Sequence, residues 1–420
     1  MIKSIFELPE YKPYAKAWDA RKKELETRAS YYDGSIYEVA RKAFGWLAPR
    51  LYKGVKPLYL PLSRAVDIDA GIIPGEWSIS IDEPKRELWE KARDTVFDWS
   101  SWDTDGVLYV HYGAQTGISG LRVSNLVDEK KVIIQSVDPT LYMLIENSAY
   151  TNSVDMALWI EKKQDANGED YEYAEVITSD LIRTYKDGVP YGFDGREPEY
   201  KNDLDFVPYV EVRHLETGKK YGECTFQKSI PILNEVNQMA SYLADIISKN
   251  ADAQWAVMGA EPSDLSHSSD IVWFFPAGTD VKPLVPGIDI DGVLNFIKEI
   301  AGNVKESLPE LAFDELRSKD QIATATVELQ LMELILKIKR TRPNYDRGLV
   351  TALQMAGRAA ASMGLSDIAV LDDPELRFDS KRAILPPNPK EQIELELAQL
   401  ELDNMKESSM TNEGMNVQTI

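Results

Sequence analysis

The strongest structural signal in the chain lies at positions 222–259, which read GECTFQKSIPILNEVNQMASYLADIISKNADAQWAVMG. Apolar residues recur there every three or four positions, at Ile230, Leu233, Val236, Ala240, Leu243 and Ile247. This spacing places them along one side of an α-helix, so a helix is predicted over Ser229–Asn250. Pro231 falls in the first turn, where its missing N–H has no helical partner to lose.

The residues that follow predict a short non-helical unit and then a second helix. Two strand-like runs, WAVMG at 255–259 and IVWFF at 271–275, are separated and followed by the prolines Pro262, Pro276, Pro283 and Pro286, which we interpret as breakers. The second helix is predicted over 291–308. A stretch of weak periodicity leads into a long helical pattern over about 325–363, and Pro343 within it predicts a kink or break near Thr341. A further acidic helix is predicted from Lys390, ahead of a disordered tail.

The chain before position 222 combines helices with a run of strands. An amphipathic helix is predicted in the first thirty residues, with Tyr14, Trp18 and Leu25 near one face and a stop at Asp33-Gly34. Helices are also predicted over 35–51 and 83–99. From 107 to 213 the pattern changes to short runs rich in Val, Ile and Tyr, and Asn167-Gly168 predicts a tight hairpin. The fold class predicted is therefore α+β.

Composition excludes several classes of protein. The 420 residues carry 47 basic and 69 acidic side chains, a net charge of −22, which argues against a repressor, nuclease or packaging ATPase that grips DNA through its phosphates. A well-solvated acidic surface is the simpler interpretation of that charge. We find no apolar run long enough for a membrane span and no signal-peptide pattern. A single cysteine, Cys224, suits folding in a reducing cytoplasm.

Catalytic and metal-binding motifs are not found in the sequence. There is no phosphate-binding loop, dinucleotide fingerprint, H-E-x-x-H or C-x-x-C. His111 and His214 lie in strand-like runs and are interpreted as structural, and Cys224 as a buried thiol. The acid pairs Asp67/Asp69 and Asp289/Asp291 lack the further ligands of a calcium loop, and in GIDIDG a helix cap is the simpler account. We therefore expect no enzyme activity, cofactor or metal.

The order of these segments resembles the portal proteins of tailed bacteriophages, of the long-tailed siphovirus type. The resemblance covers about 31–410 and includes YYDG at 31–34, the Asp138-Pro139 pair and VPYVEVRH at 207–214. Its most specific part is 222–259, through Gly222, Leu233, Asn234, Ser241, Asp245 and Gly259. Two departures are Thr225-Phe226, where a Ser-Asp pair is common, and the lack of a Ser-Gly after Leu308. These departures blur the boundary of the channel loop.

The resemblance implies a phage portal fold with the following parts. Residues 1–222 would form a wing, 223–250 and 288–308 two stem helices, and 251–287 the clip between them. Residues 309–326 would form a tunnel loop, 327–388 a long kinked helix returning to the wing, and 389–420 a short crown helix with a disordered tail.

Candidate site residues follow from this division. Subunit contacts on the stem would come from Ile230, Leu233, Val236, Leu243 and Ile247, although the same stripe could pack inside a single chain. Docking on the clip would use Trp255, Trp273, Phe274 and Phe275. The tunnel loop would present Glu310, Asp314, Glu315, Arg317, Lys319 and Asp320. Its composition predicts an exposed, mobile segment, and an ordinary surface connection is the alternative.

The function that the resemblance implies is that of a structural ring in the virion. The subunits, twelve in the family, would form the channel at the capsid vertex for packaging and ejecting double-stranded DNA without sequence specificity. Partners would be the terminase large subunit, the head-completion adaptor, and the major capsid and scaffolding proteins, with no membrane contact and assembly in the host cytoplasm. The alternatives are another ring-forming connector or capsid-associated protein, or an enzyme, which a pocket with paired, strongly perturbed carboxylates would reveal.

Overall fold

The computed structural model describes residues 4–37, 59–80, 85–147, 153–193, 195–251, 254–258, 280–284, 290–312, 329–379 and 382–384. Within these residues the chain is of the α+β class, as predicted, with α-helices packed on antiparallel sheets. No helix among the described residues is long and apolar enough to cross a membrane.

Four α-helices precede the first strand among the residues that the structure describes. They are α1 (Ala15–Asp33), α2 (Leu62–Ile72), α3 (Arg86–Ser100) and α4 (Trp102–Thr116). The predictions of α1, with its stop at Gly34 (φ +77°), and of α3 are confirmed. The helix predicted over 35–51 lies outside the described residues beyond position 37.

The prediction of strands from Val107 onward was wrong for the first ten residues, which belong to α4. Its buried residues recur with a helical period, among them Trp102, Tyr109, Val110, Gly113 and Ala114. Helical packing therefore overrides the β preference of the sequence VLYV, and His111 lies on a helix, not a strand.

The strands form two antiparallel sheets and a separate pair. In the described part of the first half of the chain the strands are β1 (Ile118–Leu126), β2 (Lys131–Val137), β3 (Tyr142–Glu146), β4 (Val154–Gln164), β5 (Asp170–Thr178), β6 (Leu181–Lys186), β7 (Val189–Pro190), β8 (Glu199–Lys201) and β9 (Tyr209–Arg213). One sheet has the order β2-β1-β9, and the other β3-β4-β5-β6-β7 with β8 also paired to β6. The hairpin predicted at Asn167-Gly168 is confirmed, since Gln164 pairs with Asp170, but the turn is longer than a two-residue one and only Gly168 of the two has a positive φ.

Each sheet buries an apolar face against helices or chain segments. The three-stranded sheet packs through Leu121, Val123 and Ile134 into the same core as α3 and α4. One face of the six-stranded sheet is covered by the N-terminal segment, where Ile5 and Trp18 pack with its buried side chains. The three-stranded sheet is thus packed against α3 and α4, and the six-stranded sheet against the N-terminal segment that includes Trp18 of α1.

The second half begins with a helical hairpin, α5 (Ile230–Ala251) and α6 (Ile290–Glu306), which pack against each other. Between them β10 (Gln254–Met258) pairs antiparallel with β11 (Asp280–Leu284). The predictions of both helices and of the first strand are confirmed. Pro283, interpreted as a breaker, instead lies within β11, and the IVWFF run lies outside the described residues.

A long helix, α7 (Met332–Ser362), and a short one, α8 (Ser366–Ala369), complete the described body. The break predicted near Thr341 is wrong, because α7 continues through Pro343. Lys339 and Pro343 are both exposed, so solvent can satisfy the carbonyl that the proline leaves without a helical donor. The helix predicted from Lys390 lies outside the described residues.

Candidate functional site

The foot of the helical hairpin is buried in the body of the chain. Leu233, Val236 and Leu243 of α5 pack in one core with Ile297 and Val304 of α6. The same core includes Leu62 and Val66 of α2, and Phe226 and Leu308. Burial of this many apolar side chains fixes the hairpin to the body.

Polar contacts at the foot use residues that the sequence singled out. Asn234 donates from Nδ2 to the Tyr31 hydroxyl at 3.0 Å and accepts from the Tyr37 hydroxyl at 3.0 Å. Gly222 has φ +59°, and an added Cβ there would lie 2.7 Å from the carbonyl oxygen of Gly117. Asn234 therefore links α5 to Tyr31 and Tyr37. Gly222 permits the close approach of the chain before α5 to Gly117.

The candidate stem residues divide into buried and exposed side chains. Leu233, Val236 and Leu243 are covered by their own chain, as in the alternative of a stripe packed inside one chain. Ile230 is partly buried on the same core, whereas 47% of Ile247 is exposed. A subunit contact through this stripe therefore remains a proposal, with Ile247 as its exposed member.

A cluster of buried charged and polar side chains lies beside this foot, and we name Asp69, His214, Thr225, Glu310 and Lys337 the junction cluster. They come from α2, the residues after β9, the turn before α5, the 3-10 turn Pro309–Leu311 and α7. Asp69, His214 and Glu310 have no exposed surface. The cluster thus joins five separate segments of the chain at the base of the hairpin.

Lys337 is the cation shared by two carboxylates. Its Nζ lies 3.1 Å from Asp69 Oδ2 and is also bonded to Glu310 Oε1. Among the described residues, Asp69 Oδ1 and Glu310 Oε2 have no hydrogen-bond partner. With two acids and one lysine, the cluster would carry a buried negative charge if both carboxylates were ionised.

The hydrogen-bond partners of His214 indicate its protonation state. Thr225 Oγ1 donates to Asp69 Oδ2 at 2.5 Å, so it must accept from His214 Nε2 at 3.0 Å. His214 Nδ1 lies 2.8 Å from the Tyr345 hydroxyl oxygen, and as a neutral Nε2–H tautomer the histidine accepts a hydrogen bond from that hydroxyl. Burial lowers the pKa of His214, in agreement with that assignment.

The two carboxylates differ in pKa for physical reasons. Asp69 is also fully buried, but the ammonium of Lys337 and the donors His214 and Thr225 hold its pKa well below its usual range. Burial, followed by the negative charge of Asp69, raises the pKa of Glu310 to about 8. At neutral pH, Asp69 is therefore ionised, Glu310 is protonated, and the charge of Asp69 balances that of Lys337.

Glu310 corrects the tunnel-loop prediction at its first residues. The prediction placed Glu310 on an exposed segment, but Glu310 and Leu311 are buried in a 3-10 turn held by Lys337. Burial favours the protonated form of Glu310, so the residue does not carry the charge that made the segment look solvated in sequence. The remaining candidates, Asp314, Glu315, Arg317, Lys319 and Asp320, lie outside the described residues.

The clip candidates are described only in part. Trp255 lies in β10, opposite Pro283 of β11. Trp273, Phe274 and Phe275 lie outside the described residues. Their docking role remains a proposal.

Several residues of the junction cluster were missed in sequence. Asp69 occupies an apolar stripe position of α2, among Leu62, Ala65, Val66 and Ile73, which is a signal that it is buried. Lys337, Thr225 and Glu310 gave no comparable local signal. The predictions of a structural His214 and a buried Cys224 are confirmed.

Paired carboxylates with perturbed pKa values were named as the sign of an enzyme, and this pair does not fit one. Asp69 and Glu310 are closed to solvent and bound to Lys337, so no substrate can reach them.

An open pocket of about 230 Å³ lies on the six-stranded sheet, where Glu175 is held by both Nη atoms of Arg122 at 3.0 and 3.2 Å. No group of three or more potential metal ligands occurs among the described residues.

The sequence matches no protein-family model and no curated protein. Solved structures similar to the chain include the neck of the native gene transfer agent (GTA) particle computed with C12 symmetry, at 10% identity and a TM-score of 0.40, covering 82% of this chain and 85% of that chain. The neck of the empty GTA particle, computed with C6 symmetry, gives 13% identity and a TM-score of 0.41, covering 82% and 86%. A chain in the virion of the native GTA particle gives 12% and 0.38, covering 82% and 85%. Similarity at this level does not by itself assign a function.

Proposed function

We propose that this chain is a ring-forming structural protein of a phage-like virion, and specifically a portal subunit. The observation that carries the proposal is the unit from α5 to α6: two packed helices flank a two-stranded β element, and the helices are fixed at their foot to an α+β body. This is the order of stem, clip and stem that the portal resemblance implies for residues 223–308.

The exposed surface of the hairpin supports assembly rather than an isolated monomer. Ile247 and Tyr242 of α5, and Ile290, Leu294 and Phe296 of α6, are each at least one-third exposed. Large apolar side chains concentrated on one element are typical of a surface that another protein covers. In a ring, heterologous contacts would cover it on both sides of each subunit.

The finer parts of the proposal concern partners and place. The ring, of twelve subunits as in the resembled family, would stand at the capsid vertex among the major capsid and scaffolding proteins. Its clip would dock the terminase large subunit and later the head-completion adaptor. Residues 313–326, which follow the buried turn at Glu310 and Leu311, would reach the channel, where Arg317 and Lys319 would touch passing double-stranded DNA. A net charge of −22 suits such a channel, because a wall that bound phosphates tightly would hold the DNA.

Native mass spectrometry and particle images of the purified protein test the proposal. We expect closed rings with an axial channel wide enough for duplex DNA. A chain that stays monomeric at every protein concentration and ionic strength, with and without scaffolding protein, would contradict it. Rings with a channel too narrow for DNA would favour another ring-forming connector or capsid-associated protein.

A further inference from the structure

The first turns of α7 are apolar on two opposite sides. Leu331, Leu334 and Ile338 face the core and are buried. On the other side, Met332 and Leu336 are exposed by 46% and 57%, and Leu329, just before the helix, by 68%. Met332 and Leu336 are four residues apart and lie on one face of α7, and with Leu329 we name them the α7 stripe. A helix that is apolar on both sides is normally covered on both sides.

Basic residues continue the α7 stripe. Lys339 and Arg340 follow Leu336 by three and four residues, so they lie on the same side, and both are exposed. Arg340 uses one Nη atom to donate to the carbonyl oxygen of Glu216 at 2.8 Å. The surface thus changes from apolar to positive along the helix, in a chain whose net charge is strongly negative.

A second exposed surface, on α6, has the matching character. Phe296 is 47% exposed and lies about a quarter of a turn from the side of α6 that buries Ile297 and Val304. Glu299 and Glu306 lie on the side of Phe296 and are exposed. We name Phe296, Glu299 and Glu306 the α6 face. It combines an aromatic anchor with negative charge, the complement of the α7 stripe.

We propose that the α7 stripe of one subunit packs against the α6 face of the next copy of this chain. The proposal rests on the proposed ring and names its contact. Both surfaces are exposed within one chain, so they do not cover each other there. Two different, matched surfaces on one molecule make a heterologous contact, which repeats around an axis until the ring closes.

Two single substitutions test this contact. Leu336→Asp and Phe296→Asp each place a charge in the middle of one surface, and each should raise the protein concentration needed for ring assembly by about ten-fold or more. The matched control is Leu88→Asp on α3, because Leu88 is 60% exposed but belongs to neither surface. Unchanged circular dichroism and thermal unfolding show that the variants fold, as expected for exposed positions.

Mixing the two variants separates a heterologous contact from a symmetric one. An intact α7 stripe on the Phe296→Asp chain can meet the intact α6 face on the Leu336→Asp chain, once per pair. The mixture should therefore form heterodimers that do not grow into rings, which native mass spectrometry of mass-labelled chains detects. In a symmetric two-fold contact the mixed pair would also bury the two substituted surfaces against each other, so mixing would not restore the affinity of the unsubstituted contact.

Charge complementarity has its own readout. The double substitution Lys339→Glu, Arg340→Glu should weaken assembly at low salt and have a smaller effect at high salt, because screening removes the repulsion that it creates. Rings that form from Leu336→Asp as readily as from the unsubstituted chain overturn the contact and leave the proposed function standing. Failure of the mixed variants to form heterodimers also overturns it. An unsubstituted chain that never forms rings overturns both proposals.

Discussion

Two buried ionic clusters lie along α7, and their charge balances are opposite. The junction cluster holds two carboxylates and one lysine, whereas a second cluster, which we name the arginine cluster, holds Arg342, Arg382 and the single acid Asp346. Arg342 donates to the carbonyl oxygens of Ile72 and Ile73 at 3.0 Å, at the end of α2, and to that of Arg382 at 3.0 Å.

The difference teaches how one helix can bury charge in two ways. In the arginine cluster, backbone carbonyls at a helix end balance the excess positive charge, which matches the helix dipole. Burial and the neighbouring Arg382 lower the pKa of Arg342 to about 10, so it stays charged near neutral pH. In the junction cluster the excess acid takes up a proton, because Glu310 has a pKa of about 8. Of these two groups, only Glu310 titrates near neutrality.

The largest effect is expected from Lys337→Met. The substitution keeps the aliphatic volume but leaves Asp69 and Glu310 buried without a cation, which should cost about 3–5 kcal/mol of the free energy of unfolding. Chemical denaturation measures it. Lys339→Met, two residues away and exposed, is the control and should change stability by no more than about 0.5 kcal/mol. A loss for Lys337→Met as small as that of the control would show that Lys337 does not stabilise the cluster.

Arg342→Met should have the next largest effect. It removes the donors to the carbonyls at the end of α2, and unsatisfied buried carbonyls should cost about 2–4 kcal/mol. The exposed Arg347→Met is the control on the same helix. Urea unfolding with equal m-values for both variants would assign the loss to the folded state. Equal stability of the two variants would contradict the role given to Arg342.

Glu310→Gln should have the smallest effect near pH 4.5, and its effect should grow as pH rises. The folded-state pKa of Glu310 is raised from its ordinary 4.5 to about 8, so between these values the unfolded chain releases a proton that the folded chain keeps. The Glu310 contribution to stability is therefore present below pH 4.5 and is lost as pH rises to about 8.

Glutamine resembles protonated Glu310 and cannot titrate. The variant should match the unsubstituted protein near pH 4.5 and gain on it by about 1 kcal/mol per pH unit up to pH 8. Unfolding free energies at pH 5, 6.5 and 8 measure the gain. A difference between the two proteins that does not change with pH would show that Glu310 is ionised throughout.

The elements that the sequence predicted well are those whose signal is local. The helix α5 and the turn at Asn167-Gly168 are each predicted by residue types within one short segment of the sequence. In α4, by contrast, Gly106 and Gly113 lower helix propensity and a β-rich run crosses the middle. An added Cβ on Gly113 would lie 1.9 Å from the Tyr345 hydroxyl oxygen, so that glycine is explained by a residue far away in sequence.

The junction cluster shows the same limit for charged residues. Glu310 sits in a stretch whose composition indicates exposure, and its cation lies 27 residues further on, in α7. Asp69 alone gave a usable sign, a carboxylate on an apolar helical stripe. Burial of charge is a property of the assembled partners, so single segments of sequence do not reveal it.

The ratio of two acids to one lysine in the junction cluster also limits which substitutions can accumulate at these positions during evolution. A neutral residue at Lys337 is tolerable when Asp69 has already become neutral, and a second lysine is tolerable only where Glu310 as well as Asp69 is ionised. Substitutions at positions 69, 310 and 337 should therefore accompany one another in related sequences, although 268 residues separate the first position from the last. Covariation of positions 69, 310 and 337 in related sequences would therefore reveal the contact between these residues from sequence alone.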